Sequence, residues 1–430
     1  MAGKGADPGH GRRGCPARTS RWGSRWCAAA LAVLAGTMAV ARADDTAQFR
    51  RHLESLWPRA QQLGVARATF DAALAGLQPD LTLPDLIIPG RPKAEPKGQA
   101  EFVRPPQDYL ARKQLEGLAA QGRILAQQHA ATLERIERQI GVDRWTVLAI
   151  WGRETAYGQY RLPHDAIKVL ATQAWIGRRK EMFQTEFVYA LKMLQDGVPR
   201  ASLKSSWAGA VGLTQFMPSE YYQYAKDLDG DGRTDIFGSV PDALASAAAQ
   251  LKGKGWISGQ TWGYEVRRTT ASDCSLEGPQ NMRPIGDWVR LGYVRTFNRS
   301  FTPQQERMQA YLIMPAGTYG PAFLATENFL VIKRYNMSDL YALFVGNLAD
   351  RIAGGGDFET AWANVKQPAT RDIETIQARL QALGRPVEKI DGKIGSVTRS
   401  EIGVYQKANG LPVDCWPGPQ VLQHVTSAGR

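Results

Sequence analysis

One glutamate in this sequence stands alone on an apolar helical segment. Residues 145–158 are apolar on almost every side, and Glu154 is their one carboxylate. At helical spacing it shares a face with Val147, Ile150 and Trp151. Desolvation on such a face disfavours the ionised form and raises the pKa of the carboxyl group, as a general acid working at neutral pH requires. The alternative is an ordinary surface glutamate paired with Arg153 or another cation.

A second segment, residues 206–219, combines many small residues with one amide side chain suited to ligand binding. Its glycines allow the backbone to approach a ligand closely, and the Gln215 amide can hydrogen-bond the hydroxyl and acetamido groups of a sugar. The alternative is a tightly packed loop between two helices. The residue types alone do not decide between these two interpretations.

The elements that position these residues are predicted to be mostly helical. Apolar spacing predicts helices over residues 44–76 and 106–140, and Asp143 is suited to cap the helix that follows. A proline-rich stretch between the first two helices is expected to be an extended surface segment. Two candidate strands, residues 262–267 and 288–296, add a small β element.

The C-terminal part of the chain has its own organisation. Residues 354–370, which include three consecutive glycines and a proline, are typical of a linker. Three short helical patterns follow, beginning near Ile373, Ser396 and Gln420. They predict a compact helical module of about 60 residues, which is a feasible size for a small core. A chain of 430 residues is thus expected to hold two or three folded units.

The first 43 residues have the layout of a secretory signal peptide. They carry seven basic residues and one acidic residue, in a chain whose net charge is +12. A short apolar run, residues 26–40, is followed by Ala-Arg-Ala, which is typical of a signal peptide cleavage site. The run is short for a membrane-spanning helix, and the alternative is an uncleaved N-terminal anchor. Cleavage would leave a modest positive charge, which does not argue for nucleic acid as a partner, and would place the protein in the periplasm.

Two cysteines, Cys274 and Cys415, remain after the predicted signal peptide. No Cys/His spacing is typical of a zinc site, and no disulfide framework is visible. An oxidising compartment would allow a long-range bridge between them. The sequence leaves this pairing open.

Several stretches closely resemble the lytic murein transglycosylase B family. They cover most of residues 45–350, in the order and spacing of the family. The stretches are Glu154-Thr-Ala-Tyr-Gly158, Ser206-Trp-Ala-Gly-Ala210, Gly212-Leu-Thr-Gln-Phe-Met-Pro218, Asp227-Leu-Asp-Gly-Asp-Gly232, and Asn328-Phe329 with Arg334-Tyr335-Asn336 and Tyr341. The resemblance implies a mainly α, lysozyme-like fold with a small β element. It also implies cleavage of the β-1,4 bond between N-acetylmuramic acid and N-acetylglucosamine in peptidoglycan.

The resemblance assigns roles to individual residues. Glu154 matches the catalytic acid/base, and Ser206 matches a hydroxyl that contacts its carboxylate. The residues that match groups lining the sugar subsites are Gln215, Phe216, Tyr335, Asn336 and Tyr341. The chain departs from the family pattern at Ala249 and Gln250, where Asn-Tyr is common. A stacking aromatic residue is therefore expected to be missing from one subsite.

Ordinary glycosidases use two carboxylates, but neither core motif contains a second one. By resemblance, Glu154 protonates the leaving oxygen while the acetamido group of the substrate assists at the anomeric carbon. The carboxylate then takes a proton from the muramic C6 hydroxyl, which closes a 1,6-anhydro ring. This mechanism requires no cofactor. The alternatives are a hydrolytic muramidase on the same scaffold and a non-catalytic cell-wall-binding protein.

One acidic loop is similar to a calcium-binding EF-hand loop. Asp227, Asp229, Asp231 and Asp235 occupy positions 1, 3, 5 and 9 of that pattern. Position 12, where a bidentate glutamate is required, is Gly238. The pattern favours at most a structural calcium ion of weak affinity. The alternative is a polar turn in which the aspartates hydrogen-bond their own backbone.

The C-terminal module, residues 371–430, resembles the three-helix peptidoglycan-binding domain. The resemblance rests on residues 376–384 and on the Asp391-Gly392 turn. It implies that the module holds the enzyme on its insoluble polymer, which raises the local concentration of substrate. The alternative is a dimerisation or folding cap. The expected division is a signal peptide (1–43), a catalytic domain (44–353), a linker (354–370) and the binding domain (371–430).

Overall fold

The computed structural model of the protein describes residues 45–88, 99–387 and 389–427. The predicted signal peptide, residues 1–43, lies outside the described residues. The chain divides into two compact units, Met1–Ser55 and Leu56–Arg430. The described part of the first unit is one helix, α1, over residues 45–54.

The second unit is mainly helical, as the sequence predicts. Within the residues that the structure describes, no helix has the length and apolarity that crossing a bilayer requires. Its α-helices are α2 (Trp57–Gln62), α3 (Arg67–Leu74), α4 (Ala100–Val103), α5 (Pro106–Tyr109), α6 (Arg112–Gln128), α7 (Ala130–Ile140), α8 (Arg144–Thr155), α9 (Ala166–Ile176), α10 (Lys180–Gln195), α11 (Pro218–Tyr224), α12 (Val240–Gly253), α13 (Ile285–Arg290), α14 (Pro303–Glu306), α15 (Glu327–Asn336), α16 (Asp339–Ile352), α17 (Thr370–Ala382), α18 (Ser396–Ala408) and α19 (Pro419–Ser427).

A five-stranded antiparallel sheet forms the β element, with strand order β4-β6-β7-β3-β5. A separate two-stranded antiparallel sheet joins β1 to β2. The strands are β1 (His164–Asp165), β2 (Lys204–Ser205), β3 (Gly263–Arg268), β4 (Arg283–Pro284), β5 (Tyr293–Arg295), β6 (Gln309–Ile313) and β7 (Ala322–Ala325).

The observed elements differ from the predicted ones in several places. The predicted helical stretch over residues 44–76 is divided into α1, α2 and α3. The predicted helix over residues 106–140 is three helices, α5, α6 and α7, and the last two meet at a non-helical residue, His129. The predicted strand over residues 288–296 begins with the end of α13, and only Tyr293–Arg295 form a strand. Trp288 lies in α13 and donates a hydrogen bond from its indole N–H to the Ala310 carbonyl at 2.8 Å. Strand β7, which the sequence did not reveal, is buried on both faces and so lacks the alternation of polar and apolar residues.

Helix α8 is the centre of the main core. Helices α6, α7, α12 and α16 pack around it. The residues of α8 from Thr146 to Gly152 are therefore all buried. A helix that is apolar on every side is stable where neighbours cover all of its faces. This packing accounts for the apolar composition of α8 and fixes the position of Glu154 in the last turn of the helix.

The C-terminal module is the predicted three-helix unit, formed by α17, α18 and α19, and it is bonded to the rest of the protein. Cys274, in a turn beside the sheet, forms a disulfide with Cys415, which is 141 positions further along the chain. The Arg399 guanidinium of α18 lies 2.5 Å from Glu277 and 3.2 Å from Asp339, and all three side chains are buried. The module is therefore held rigidly and is not a freely moving attachment.

The segment before the module contains no helix or strand between α16 and α17. It is nevertheless fixed to the sheet, because Thr360 N–H donates to Glu265 at 2.9 Å and Ala363 N–H donates to the Tyr319 carbonyl at 2.8 Å. Val365 is 8% exposed. The sequence predicted a linker here, and the structure shows a segment packed against the domain that precedes it.

Candidate active site

The helix that carries Glu154 is defined at both ends. The Asp143 side chain accepts a hydrogen bond from Thr146 N–H at 2.9 Å, which confirms the predicted N-cap. The last turn is followed by Ala156, Tyr157 and Gly158, whose φ angles are 48°, 59° and 79°. Because left-handed residues cannot continue a right-handed helix, the helix stops immediately after the turn that contains Glu154.

The Glu154 carboxyl lies in a cleft of about 940 Å³ and is partly buried. The Tyr341 hydroxyl donates a hydrogen bond to its Oε1 at 2.5 Å. Arg153 points elsewhere: its guanidinium lies 5.0 Å from the Phe344 ring and donates to the Tyr109 hydroxyl at 2.7 Å. No salt bridge joins Arg153 to Glu154 among the described residues. The alternative of a surface ion pair is therefore contradicted.

The surroundings of Glu154 favour its protonated form. Burial raises the pKa of this carboxyl group to about 7, although the Tyr341 hydrogen bond and the nearby Arg153 charge lower it. The carboxylate of Glu101 adds to the rise in pKa by like-charge repulsion. A carboxyl group with this pKa can both donate and accept a proton at neutral pH.

The second motif is attached directly to the end of α8. The Thr155 hydroxyl donates to the Leu213 carbonyl at 2.7 Å, and Val211 and Phe216 exchange backbone hydrogen bonds of 2.8 Å. Gln215 lies in this tight turn with a φ of 56° and lines the cleft. The two motifs singled out in the sequence are therefore neighbours in space.

Two residues of this motif differ in how far their positions match the roles that the resemblance implied. Phe216 is fully buried and does not line the cleft, because the turn directs its ring into the core. The Ser206 hydroxyl accepts hydrogen bonds from Ala208 N–H and Ala210 N–H at 3.4 and 3.3 Å. Ser206 lines the same cleft as Glu154, but no hydrogen bond joins them in the described part of the chain.

Tyr335 lines the cleft and Tyr341 lines a smaller pocket beside it, and their rings lie side by side with planes 11° apart and centroids 6.3 Å apart. The Tyr335 hydroxyl donates to the Thr214 carbonyl at 2.5 Å. Tyr341 is 1% exposed, so it contacts the carboxyl group of Glu154 and is not available to stack on a sugar. Both residues therefore border the site, and Tyr341 contacts its acid directly.

Asn336 occupies the junction of two arms of the cleft. It lines the larger arm and a smaller one of about 260 Å³, and Glu154, Ser206 and Gln215 also line both. Its Oδ1 atom is buried without a hydrogen-bond partner in the structure. An unpaired buried acceptor is costly and is suited to receive an N–H group of a ligand.

Several cleft residues were missed by sequence reasoning. Glu101, 7% exposed, lines the larger arm, Tyr160 and His164 line the smaller one, and Trp207 lines both. Trp207 belongs to the stretch Ser206-Trp-Ala-Gly-Ala210, so the sequence could have indicated that it lines the cleft. Nothing in the sequence around Glu101 distinguishes it from a surface glutamate. Ala249 and Gln250, the point of departure from the family pattern, lie in α12 and line neither arm.

The model of the transglycosylase SLT domain matches residues 48–350, and that of the putative peptidoglycan-binding domain matches residues 370–425. The chain belongs to this family of lytic transglycosylases. The chain is 32% identical to membrane-bound lytic murein transglycosylase B of Escherichia coli over 238 residues. That match covers 54% of this chain and 63% of the relative, so the chain spans less than two thirds of the length of that curated relative.

Solved structures of the family have the same fold as this chain. SltB3 of Pseudomonas aeruginosa, in complex with NAG-NAM-pentapeptide, is 38% identical and superposes with a TM-score of 0.78, covering 88% of this chain and 99% of that one. Escherichia coli Slt35 in complex with calcium is 28% identical with a TM-score of 0.50, covering 58% and 77% of the two chains. These similarities confirm the mainly α, lysozyme-like fold with a C-terminal binding domain.

The acidic loop of this transglycosylase differs from the predicted ligand set. Carboxylate oxygens of Asp227, Asp229 and Asp242 lie within 4.8 Å of one another. Asp231 and Asp235 are not part of this group, and their carboxylates accept hydrogen bonds from Arg233 N–H and Phe237 N–H. Buried Asp242, in the first turn of α12, takes their place.

Proposed function

We propose that this transglycosylase cleaves the β-1,4 bond between N-acetylmuramic acid and N-acetylglucosamine in peptidoglycan, with Glu154 as its sole acid/base. The proposal depends on one observation: a single carboxyl group with a pKa of about 7 lies where the two arms of the cleft meet. A cleft with two arms that meet at one acid suits a polymer whose sugar units bind on both sides of the bond that is cleaved. The products are strands that end in 1,6-anhydromuramic acid.

In the first step, protonated Glu154 donates its proton to the glycosidic oxygen. The bond between that oxygen and the anomeric carbon breaks, and the acetamido oxygen of the substrate supports the positive charge on the carbon. The Tyr341 hydroxyl stabilises the carboxylate that forms, because it already donates a hydrogen bond to Oε1. A hydrogen bond to a charged group is stronger than one to a neutral group.

In the second step, the Glu154 carboxylate takes the proton of the muramic C6 hydroxyl. The O6 atom bonds to the anomeric carbon and the acetamido oxygen is released, so the acid is regenerated without consuming water. We assign Asn336 Oδ1 and the Gln215 amide to the acetamido and hydroxyl groups of the sugars, since both residues line the two arms. Ser206 and Tyr335 hold the shape of the site.

A hydrolytic muramidase is the second candidate, because Glu101 supplies another carboxylate to the same cleft. Two-carboxylate glycosidases need that second group to activate water or to attack the anomeric carbon. The products distinguish the two reactions, since the anhydro sugar is lighter than the hydrolysed sugar by one water.

The test is to digest purified sacculi with wild-type protein, Glu154→Gln and Glu101→Gln, and to weigh the released muropeptides. We expect anhydromuropeptides from wild type and from Glu101→Gln, and none from Glu154→Gln. Loss of all product in Glu101→Gln, with reducing ends in the wild-type digest, would support the muramidase. Anhydro products from Glu154→Gln at the wild-type rate would refute the assignment of the acid.

The proposed organisation follows the sequence analysis. Residues 1–43 act as a secretory signal that delivers the enzyme to the periplasm, where its substrate lies. Residues 44–353 form the catalytic domain, and residues 371–430 form the peptidoglycan-binding domain after the packed segment 354–370. The matched ranges of the two family models support this division.

We also propose that Asp227, Asp229 and Asp242 bind a calcium ion that stabilises the loop and takes no part in the reaction. Oxygens within 4.8 Å of one another can share one ion, because calcium–oxygen bonds are about 2.3–2.6 Å long. Three carboxylates are fewer than the usual six to eight ligands, so the affinity is expected to be weak. A rise in Tm on adding calcium, lost in Asp227→Asn, would support this site.

A further inference from the structure

The C-terminal module borders the cleft that contains Glu154. Lys393 and residues 395–399 of the module line the larger arm. Arg399, at the end of this stretch, is only 2% exposed, so the module reaches the interior of the protein here. The resemblance implied a module that holds the enzyme on its polymer. A module in this position can also act on the catalytic site itself.

Arg399 belongs to a chain of charged side chains that leads to the helix carrying Tyr341. Its guanidinium lies 2.5 Å from Glu277 and 3.2 Å from Asp339, the first residue of α16, and all three side chains are buried. The Lys333 ammonium of α15 lies 2.7 Å from the Asp339 carboxylate. Two acids and two bases are thus matched in charge at the place where the module meets α15 and α16.

A buried group of ion pairs contributes little net stability, because the cost of removing the charges from water offsets their attraction. Such a group does impose a defined geometry, since a planar guanidinium fixes the directions of its partners. Arg399 donates to the Ile394 carbonyl at 2.6 Å, to Glu277 at 2.5 Å and to Asp339 at 3.2 Å. The module therefore helps to determine where Asp339 lies.

The turn between α15 and α16 depends on polar contacts of this kind. Met337, in the turn, has a φ of 59° and is 71% exposed, so burial of its side chain does not hold this uncommon conformation. The Ser338 side chain accepts a hydrogen bond from Tyr341 N–H at 3.3 Å and caps α16. The next residue, Asp339, is held by the ion pairs described above. Together these contacts fix the first turn of α16.

The first turn of α16 also carries the hydrogen-bond donor of the acid. Tyr341 is two residues after Asp339, and its hydroxyl donates to Glu154 Oε1 at 2.5 Å. A side chain moves with the helical turn that carries it, so a shift at Asp339 displaces this hydroxyl. Hydrogen bonds weaken steeply with distance and angle, so a small displacement is enough to weaken the contact with the acid.

We propose that Arg399 of the C-terminal module is a positioning residue of the active site: through Asp339 it holds the first turn of α16, and thereby the Tyr341 hydroxyl, against Glu154. The module then contributes to the reaction through its contact with α16, in addition to any binding of the polymer. This inference rests on the proposed function for its effect on the rate. In this role Arg399 acts through Asp339 and takes no part in the bond-breaking steps.

The titratable and charged groups that act on Glu154 come from several helices. They are Arg153 of α8, Glu101 of α4, Tyr109 of α5, Tyr335 of α15 and Tyr341 of α16. Burial raises the pKa of Glu154, and the Tyr341 hydrogen bond lowers it. A loosened first turn of α16 should weaken that hydrogen bond, so the pKa of Glu154 should rise further.

The test removes one ion pair without changing the net charge. Glu277→Gln/Arg399→Met loses one acid and one base, so long-range effects of charge on Glu154 largely cancel, and Asp339 keeps Lys333. We expect kcat and kcat/KM on soluble glycan strands to fall together, roughly 3- to 10-fold, because the weakened contact is one that strengthens in the transition state. The decline in activity with rising pH should move to higher pH, by up to the roughly one to two units expected for complete loss of the hydrogen bond.

The matched control is Asp273→Asn/Lys407→Met. Lys407 of the module is paired with Asp273 beside the disulfide, and its ammonium lies 2.9 Å from the Ser275 hydroxyl. This variant also removes a charge-balanced ion pair between the module and the rest of the protein, but it leaves Asp339 untouched. It should keep the kcat and the pH profile of wild type. Both variants are assayed below the Tm measured for each.

Combination with Tyr341→Phe separates positioning from a general loss of structure. If Arg399 acts through the Tyr341 hydroxyl, Glu277→Gln/Arg399→Met should cause no further shift of the pH profile in a protein that lacks this hydroxyl. An equal shift with and without the hydroxyl, no shift in either background, or an equal shift in the control would overturn the proposal. If Glu277→Gln/Arg399→Met does not fold, Arg399→Lys, which keeps the charge and loses the planar fork, is judged by the same comparison.

A direct titration keeps this result separate from the proposed reaction. In protein labelled with ¹³C at its glutamate carboxyl groups, the Glu154 resonance is identified by its loss in Glu154→Gln and followed against pH by NMR. Its midpoint should rise in Glu277→Gln/Arg399→Met and remain at about 7 in the control. A midpoint that does not rise would refute the positioning role even if wild type releases anhydro products. A midpoint that rises in this variant alone would support the role even if wild type releases none.

Discussion

The hydrogen bond from Tyr341 to Glu154 offers the sharpest test of how the site sets its acidity. In Tyr341→Phe the hydroxyl is removed and the ring, which is 1% exposed, keeps its place beside Tyr335. This hydroxyl lowers the pKa of Glu154 against the effect of burial. A hydrogen bond to a charged group contributes about 1.5–3 kcal/mol, which corresponds to a pKa change of roughly one to two units. The pKa of Glu154 should therefore rise from about 7 to roughly 8–9.

The assay is the pH dependence of kcat/KM on labelled sacculi. Because the reaction starts from protonated Glu154, activity of the wild type should decline as the pH rises through about 7. In Tyr341→Phe this decline should move to higher pH, while the maximal rate falls because the carboxylate loses a stabilising donor. Tyr335→Phe is the matched control, since its hydroxyl bonds to the Thr214 carbonyl and not to the acid. A decline that stays in place in Tyr341→Phe, or moves equally in both variants, would refute this reasoning.

Three further outcomes are expected. Glu101→Gln should move the decline in activity to lower pH, because it removes the like charge that raises the pKa of the cleft acid. Glu154→Gln should have a higher Tm than wild type at pH 8 but not at pH 4. The carboxyl group of Glu154 binds its proton more tightly in the folded protein than in the unfolded chain. The free energy of unfolding of wild type therefore falls by up to ~3 kcal/mol as the pH rises from 4.5 to about 7. Cys274→Ser should lower the free energy of unfolding by up to about 5 kcal/mol in urea titrations, since it opens a loop of 141 residues. Wild-type protein whose disulfide has been reduced should lose the same amount.

The local chemistry of the site could be read from the sequence because the residues involved are neighbours in the chain. The apolar helix around Glu154 and its Asp143 cap depend on short-range spacing, and both are present in the structure. The orientation of side chains in the tight turn could not be read in this way. Phe216 follows Gln215, whose φ of 56° reverses the chain, so one side chain faces the cleft and the next enters the core.

The residues that the sequence missed come from distant segments. Glu101 reaches the cleft because α4 is held by the packed segment, where the Gln367 amide donates to the Phe102 carbonyl at 3.2 Å. The cleft wall at Lys393 depends on a disulfide whose pairing the sequence left open. Contacts of this kind are set by tertiary packing, and the spacing of residues along the chain does not encode them.

The buried bonding of Arg399 has a practical consequence for reuse of the module. If residues 371–430 were fused to another protein as a wall-targeting tag, Arg399 would lose Glu277 and Asp339, and Cys415 would carry a free thiol. The face of α18 that normally covers the Ser275 turn would be open to solvent. Such a tag would be prone to form mixed disulfides and to associate through that face, so a graft should include the turn that the module covers.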